Sequence, residues 1–301
     1  MVSPGGSPGY EVTAVRYGTR STTKSDVFLH YGLYGEPDEP TQMDYFFWVA
    51  SNTERTILVD CGFSEASGAR RGRTMLCPPA TALRRLGIEP AGVSMLILTH
   101  GHYDHVGNVA AFPAAELIMS AREYEFWTSP LASRPLFATS AEAADIEALT
   151  SARAAGRLRL LPSAPPGGSA ARQSVAPGID VLEVGGHTPG QLVVLVGTEH
   201  GEVVIASDAL HYYDEMRLDR PFTHVADLPA MYQGFELLRH LTAGAARILV
   251  AGHDPEVMSR FPAADDELAG LAVRIAPLTP DSPAPAAGGC GTAAEGGRAR
   301  G

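Results

Sequence analysis

Cysteine is scarce in this chain. Its 301 residues include three cysteines, Cys61, Cys77 and Cys290, scattered, odd in number and outside any C-x-x-C pair. That pattern excludes a disulfide framework and a thiolate zinc site. Long apolar runs are also missing. No stretch of about 18 apolar residues occurs, and the opening "MVSPGGSPGYEV" has no apolar export core. The expectation is a soluble protein of the reducing cytoplasm. Positive charge is in short supply, with 23 Lys and Arg against 34 Asp and Glu and a formal net charge of −11. Such a surface repels phosphate backbones and anionic membranes, so neither nucleic acid nor membrane is expected as a partner. No short repeat is visible.

What is present is an ordinary globular balance, 45% hydrophobic and 19% charged, enough for a sizeable core. Residues 1–10 are Gly, Pro and Ser-rich and read as a flexible N-terminus. From about Pro280 the chain is Ala, Gly and Pro, and 280–301 reads as a disordered tail. The stretch between, 11–279, reads as a single domain. "YFFWVA" and "RTILVDCG" read as strands joined by a hairpin turn at "SNTE". "TALRRLGI" reads as a short helix closed by Gly87. "VSMLILTH" and "ARILVAGH" read as strands buried on both faces. "IDVLEV" is a further strand, and "QLVVLVG" and "EVVIASD" flank "TEHG" as a second hairpin. "SAREYEFW", "SAEAADIEALTSARAAG" and "LPAMYQGFELLRHL" carry helical spacing. "LPSAPPGGSAARQSVAPG", Leu161 to Gly178, reads as an internal linker. Each half runs from strands to helices, which predicts a layered α/β fold with one sheet from each half.

Polar residues collect where the apolar strands stop. His100, His102, Asp104 and His105 lie in "LILTHGHYDHVGN". His187 follows "IDVLEVGG", Asp208 ends "EVVIASD", and His253 follows "ARILVAG". Ligand sites in α/β folds gather at the ends of buried strands, so four strand ends could meet at one crevice. A solitary histidine at a strand end is most often a hydrogen-bonded structural residue. The H-x-H-x-D-H cluster is different, because four such groups against a buried strand carry a large desolvation cost without a partner. Imidazoles and carboxylates suit zinc and neighbouring first-row metals. Seven ligands exceed one tetrahedral zinc and suit two ions if one carboxylate bridges.

These motifs resemble the metallo-β-lactamase superfamily. "THGHYDH" carries its H-x-H-x-D-H signature, and "ILVDCG", "GGHTPGQ", "ASDAL" and "AGHDP" are similar to its other site segments, over about Tyr45 to Pro255. The resemblance implies a four-layer αββα sandwich with two divalent metal ions, zinc expected. One metal would take His100, His102 and His187, the other Asp104, His105 and His253, with Asp208 bridging. Asp60 would orient the histidine loop, the bland alternative being a simple turn carboxylate.

Within the superfamily, "KSDVFLHYGLYGEPDEPTQMDYFFWV" and "SDALHYYDEMRLDRPF" are similar to N-acyl homoserine lactonases. The implied activity is opening of a lactone ring by a metal-bridging hydroxide, with a small-molecule lactone as partner. Asp104 would pass a proton to the leaving alkoxide. Several family lactonases carry a tyrosine three residues after the bridging aspartate, where this chain has His211. Either His211 serves as donor to the substrate carbonyl, or Tyr212 or Tyr213 does. The aromatic runs "MDYFFW" and "EFWTSPLASRPLF" are candidates for an apolar wall and a lid. Phe46 and Trp48 are expected in the core, while Phe126, Trp127 and Phe137 could close over the substrate. The alternative is hydrolysis of another ester, thioester or cyclic amide in secondary metabolism on the same site. An iron redox enzyme and a non-catalytic binding module are more remote readings. Whether the chain forms a homodimer is left open.

Overall fold

The computed structural model describes residues 9–163, 171–244 and 247–276. Their strands, in chain order, are β1 (Glu11–Thr23), β2 (Pro40–Ser51), β3 (Thr56–Val59), β4 (Thr74–Met75), β5 (Met95–Ile97), β6 (Glu116–Ser120) and β7 (Leu158–Leu161), then β8 (Gln173–Ala176), β9 (Ile179–Glu183), β10 (Leu192–Thr198), β11 (Gly201–Ser207), β12 (Arg247–Ala251) and β13 (Ala272–Ile275). One sheet has the order β13-β1-β2-β3-β5-β6-β7, with β4 pairing β1; the other has the order β12-β11-β10-β9-β8.

β2 shows how the sequence builds the layers. Its side chains alternate between faces, as any strand requires. Phe46, Trp48 and Ala50 enter the core shared with the second sheet, while Tyr45, Phe47 and Val49 enter a separate core with Leu83, Phe112 and Leu149. A strand buried on both faces reads as a continuous apolar run, which is why "YFFWVA" shows no alternation. The expectation that Phe46 and Trp48 are core residues holds, at 1% and 0% exposure. In the helix Leu228–Thr242, Met231, Phe235 and Leu238 join the core of the second sheet, and Asp227 caps the helix by accepting from Ala230 N–H at 3.0 Å.

The two hairpins occur as read, with Ser51 opposite Thr56 and Thr198 opposite Gly201. Gly87 ends its helix with φ +75°, a conformation that costs glycine little. Three expectations need correction. Tyr10 is not loose: it is buried, its N–H donates to Gly197 O at 3.0 Å, and its hydroxyl donates to Pro177 O at 3.1 Å. The remainder of the expected N-terminal segment, 1–8, lies outside the described residues, as does the expected tail 280–301. The internal linker contains the edge strand β8, paired to β9, with 164–170 outside the described residues. Finally, the sheets do not divide by halves, because β13 returns to pair β1, with Val12 opposite Ile275.

Away from the sheets, Glu142 ties the helix Ala143–Ala154 to the segment after β3. It pairs with Arg70 at 2.8 Å and with Arg71, and accepts from Ser67 Oγ at 2.9 Å. Burial alone would raise its pKa, but these donors outweigh burial and bring it from 4.5 to about 2. A depressed folded-state pKa gives stability that is present above the unfolded value and lost as pH falls through the folded one. Glu142→Gln is therefore expected to lower Tm at pH 7 by about 2–4 °C, on the order of 1 kcal/mol for a partly exposed pair. The gap should close between pH 4.5 and about 2, as scanning calorimetry of both proteins would show. Phe46→Ala should cost about 3–5 kcal/mol in denaturant unfolding, the usual range for truncating a buried aromatic.

Candidate active site

Strand register brings the polar residues together. β3 and β5 are parallel neighbours with Val59 opposite Ile97, so the residues following them leave the sheet side by side. Asp60 N–H donates to Ile97 O at 2.8 Å. β11 and β12 are also parallel, with Ser207 opposite Ala251, which delivers Asp208 and His253 to the same end of the second sheet. Thr99 joins the two sheets: its carbonyl accepts from Leu192 N–H at 2.9 Å, and its hydroxyl lies 2.9 Å from that of Ser207. His100 and His102 follow β5 directly, and the short helix Tyr103–Val106 presents Asp104 and His105.

Two groups of side chains result. Donor atoms of His100, His102, His187 and Asp208 lie within 4.8 Å of one another, as do those of Asp104, His105 and His253. All seven residues are buried. Asp208 stands between the groups with one oxygen towards each. Its Oδ2 lies 3.6 Å from His100 Nε2 and 3.2 Å from His187 Nε2, while its Oδ1 lies 3.3 Å from His105 Nε2 and 3.1 Å from His253 Nε2.

The imidazoles are held from behind. His105 Nδ1 lies 2.7 Å from Asp60 Oδ2, His187 Nδ1 2.7 Å from the carbonyl of His224, and His253 Nδ1 2.7 Å from the carbonyl of Asp44. His100 Nδ1 lies 3.1 Å from the Thr99 hydroxyl. A donor bond at Nδ1 fixes the tautomer and turns the Nε2 lone pair inwards. His102 is the exception, with its Nδ1 2.9 Å from His187 Nε2.

These inward atoms fit metal ions. His100 Nε2, His105 Nε2, His253 Nε2 and Asp208 Oδ1 are buried and have no hydrogen-bond partner among the described residues. Polar atoms are seldom buried unpaired, since each costs roughly 1–3 kcal/mol. Burial and neighbouring imidazoles hold His100 and His102 well below the usual histidine range, leaving neutral nitrogens to donate lone pairs. At Asp208 burial works against ionisation, but the surrounding histidines overcome it and keep the carboxylate well below its ordinary pKa. His105 goes the other way: burial would lower its pKa, but Asp208, Asp60 and Asp104 raise it well above the usual range. Imidazoles around an ionised carboxylate are the donor set of a divalent first-row metal, which binds the deprotonated rings.

Residues 43–253 match the metallo-beta-lactamase superfamily. The chain belongs to that superfamily. It is 25% identical to an N-acyl homoserine lactonase from a Bacillus species over 235 residues, covering 73% of this chain and 85% of that protein. Its fold is similar to that of a quorum-quenching N-acyl homoserine lactone lactonase, with TM-score 0.68, 22% identity, and 83% of this chain and 95% of that one covered. A dizinc quorum-quenching lactonase solved with N-hexanoyl-L-homoserine is also similar, with TM-score 0.62, 18% identity, and 82% and 88% covered. The architecture is thus the metallo-β-lactamase αββα sandwich, with the histidines and aspartates at one edge of its paired sheets.

In this metallo-β-lactamase fold, Asp60 is far more than a turn carboxylate. Its Oδ1 accepts from Thr99 N–H at 2.8 Å, and its Oδ2 from the Thr99 hydroxyl at 2.8 Å and the Ser207 hydroxyl at 3.2 Å. Two other carboxylates escaped the sequence reading. Glu123, fully buried, accepts from Gly101 N–H at 2.9 Å, Gly190 N–H at 2.8 Å and Trp127 Nε1–H at 2.6 Å, so it ties the His100–His105 loop to the His187 loop. Glu215 accepts from His211 N–H at 2.6 Å, Tyr212 N–H at 2.8 Å and Phe222 N–H at 3.0 Å. Both sit in the first turn of a helix. That is where any helix favours an acid, so sequence offered no signal.

A cavity of about 460 Å³ opens beside the site, lined by His102, Asp104, His187 and Asp208 together with Met43, Tyr45, Tyr103 and Phe222. The predicted substrate contacts are placed differently. His211 does not line this cavity. It is fully buried, Phe222 stacks on its ring at 3.8 Å, and its Nε2 lies 3.1 Å from Asp208 Oδ2. Burial would lower its pKa, but Asp208 and Glu215 raise it to about 9. Tyr212 and Tyr213 are also turned away, each hydroxyl donating at 3.1 Å, to Gln42 O and Leu249 O respectively. Phe137 is half-buried, packs edge-on to Phe126 at 4.9 Å and is not among the residues lining the cavity, whereas the nearby Thr139 and Ser140 are. Trp127, also expected in the lid, is buried with its ring 5.4 Å from that of His102 and is not among the residues lining the cavity.

Glu123→Gln replaces one accepting oxygen with an amide at the point where the loops carrying His100, His102 and His187 are joined, and should weaken binding of added zinc by about tenfold, the low end of the range for losing support around a metal ligand. Zinc titration against a chelating indicator reads this directly. Gly101→Ala should be more severe, since its Cβ would stand 2.3 Å from Trp127 Cδ1. We expect less than half the wild-type metal content in the purified variant.

Proposed function

We propose that this superfamily hydrolase opens a lactone ring, with N-acyl homoserine lactones the first class to test, on a centre of two zinc ions. The observation that carries this reading is Asp208, which faces one histidine group with each carboxylate oxygen. His100, His102 and His187 would hold one ion, Asp104, His105 and His253 the other, and Asp208 both. Such a pair supplies a water that ionises near neutral pH and a Lewis acid that polarises an ester carbonyl.

The chain's own residues account for the rest. Asp60, the Asp44 carbonyl and the His224 carbonyl fix the tautomers of three imidazoles. Asp104 belongs to the ligand set and also lines the cavity, so it can carry a proton to the leaving alkoxide as the ring opens. Tyr45 and Tyr103 both bring phenol rings to the cavity wall, and in this reading their hydroxyls take the carbonyl-donor role in place of His211. Met43, Tyr45 and Phe222 provide the apolar surface against which a substrate arm can lie. The partner is a small molecule, and the reading requires no nucleic acid or membrane. Among the described residues no helix is long and apolar enough to cross a membrane.

The test is acid release by purified, zinc-loaded protein given acyl homoserine lactones of short and long chains. Release should disappear on chelation and return with zinc. His102→Ala and Asp208→Ala should each lower bound metal and cut kcat at least about 10³-fold. Full turnover in either variant would sink the metal-centre scheme. No release from wild-type protein holding two zinc ions per chain would instead retire the lactone and move the search to esters and thioesters.

A further inference from the structure

Three arginines, Arg20, Arg71 and Arg73, line the same cavity as His102, Asp104, His187 and Asp208. In a chain of net charge −11, this gathering of cations runs against the overall composition. Arg71 is occupied by Glu142 and by the Thr139 carbonyl at 3.0 Å. The other two form no ion pair among the described residues. Arg20 donates from Nη2 to the Thr22 hydroxyl at 2.8 Å, and its Nε is buried with no partner. Arg73 donates from Nε to Tyr103 Oη at 3.2 Å and from Nη1 to Arg71 O at 2.8 Å, both neutral acceptors. Asp26 also lines the cavity, but its Oδ2 accepts from the Thr22 hydroxyl.

Arg73 is also close to the ligand cluster. Its Cζ lies 5.9 Å from the centre of the Tyr45 ring, and that ring lies 5.1 Å from the His253 ring. One aromatic side chain therefore separates a guanidinium from a metal-ligand histidine. Guanidinium forks match carboxylate geometry, and a charge-assisted pair gains strength beside low-dielectric walls. The acids nearest the two forks act at one remove: Asp26 reaches Arg20 only through the Thr22 hydroxyl, and Asp104, which adds its charge to the surroundings of Arg73, belongs to the ligand cluster.

We propose that Arg20 and Arg73 form an anion subsite, so that the favoured substrate carries a carboxylate on the arm distal to its scissile ester or lactone bond. This rests on the reading of the ligand cluster as a hydrolytic centre. The carboxylate released by ring opening forms at that cluster; the arginines take a second one.

The probes are N-succinyl homoserine lactone and N-succinamoyl homoserine lactone, which differ only in a terminal carboxylate against a terminal amide. Wild-type zinc-loaded protein should show kcat/KM at least about tenfold higher for the carboxylate, the effect of roughly one charge-assisted hydrogen bond. The ratio should shrink with salt. In Arg20→Gln/Arg73→Gln it should fall to about one, and Arg73→Lys should keep part of it. The readout is a ratio within one preparation, so a general loss of activity does not imitate the result. If the double variant fails to fold, the two single variants carry the same test. Equal kcat/KM for the two lactones in wild-type protein overturns the subsite. If neither lactone is hydrolysed, the lactonase reading fails, and calorimetry with the two ring-opened acids decides the subsite alone. A Kd ratio of about ten that disappears in the variants supports it, and equal Kd values remove it.

Discussion

Burial of Asp208 between two histidine groups is the constraint on which the rest of this structure depends. A carboxylate removed from water must be met by cations or donors, or it does not stay ionised. Here the surroundings are imidazoles on both sides, and each is fixed by a partner on its far side. Those partners come from separate parts of the chain: Asp60 after β3, Thr99 after β5, the carbonyl of Asp44 in β2, and the carbonyl of His224. The site is therefore a property of how two sheets meet. Register places the ligands, and the outer hydrogen bonds decide which nitrogen each offers.

The same junction explains backbone choices that look unfavourable alone. Asp60 and Ser207 are non-glycine residues with φ of +61° and +47°, a region that costs energy for a side chain. Each immediately follows or ends a strand at the site edge, and each puts its side chain into the Asp60, Thr99, Ser207 network. Gly186, with φ +90°, lets the His187 loop pass against the helix Leu228–Thr242, where a Cβ would stand 2.7 Å from Met231 Cα. At these three positions strain or close approach falls where a loop of the site leaves a sheet.

Much of this was legible in the residues. The ligands declare themselves because imidazoles and carboxylates at the ends of apolar strands have few bland explanations, and the strands declare themselves through continuous burial. Other features carried no such mark. β1, the longest strand, reads "EVTAVRYGTRSTT" with a mixed burial pattern and a register shift between Arg16 and Gly18, so no period stands out. Glu123 and Glu215 look like helix-start acids. His211 shows the opposite failure. Its spacing from Asp208 suggested a substrate contact, but spacing along a chain does not say which side of a carboxylate a ring occupies, and Phe222 occupies the open side.

The pairing of β13 with β1 has a consequence for biosynthesis. Val12 and Ile275 are partners at opposite ends of the described chain. β4 covers the same flank of β1 at Gly18 and Thr19, so the stretch Val12–Val15 has its strand partner only after nearly all of the described chain has been made. Until then Val12–Val15 present unpaired backbone groups beside the aromatic strand β2, the kind of open edge that recruits other chains. Premature termination before residue 272 would leave that edge permanently uncovered, although all seven histidines and aspartates of the candidate site would already have been made.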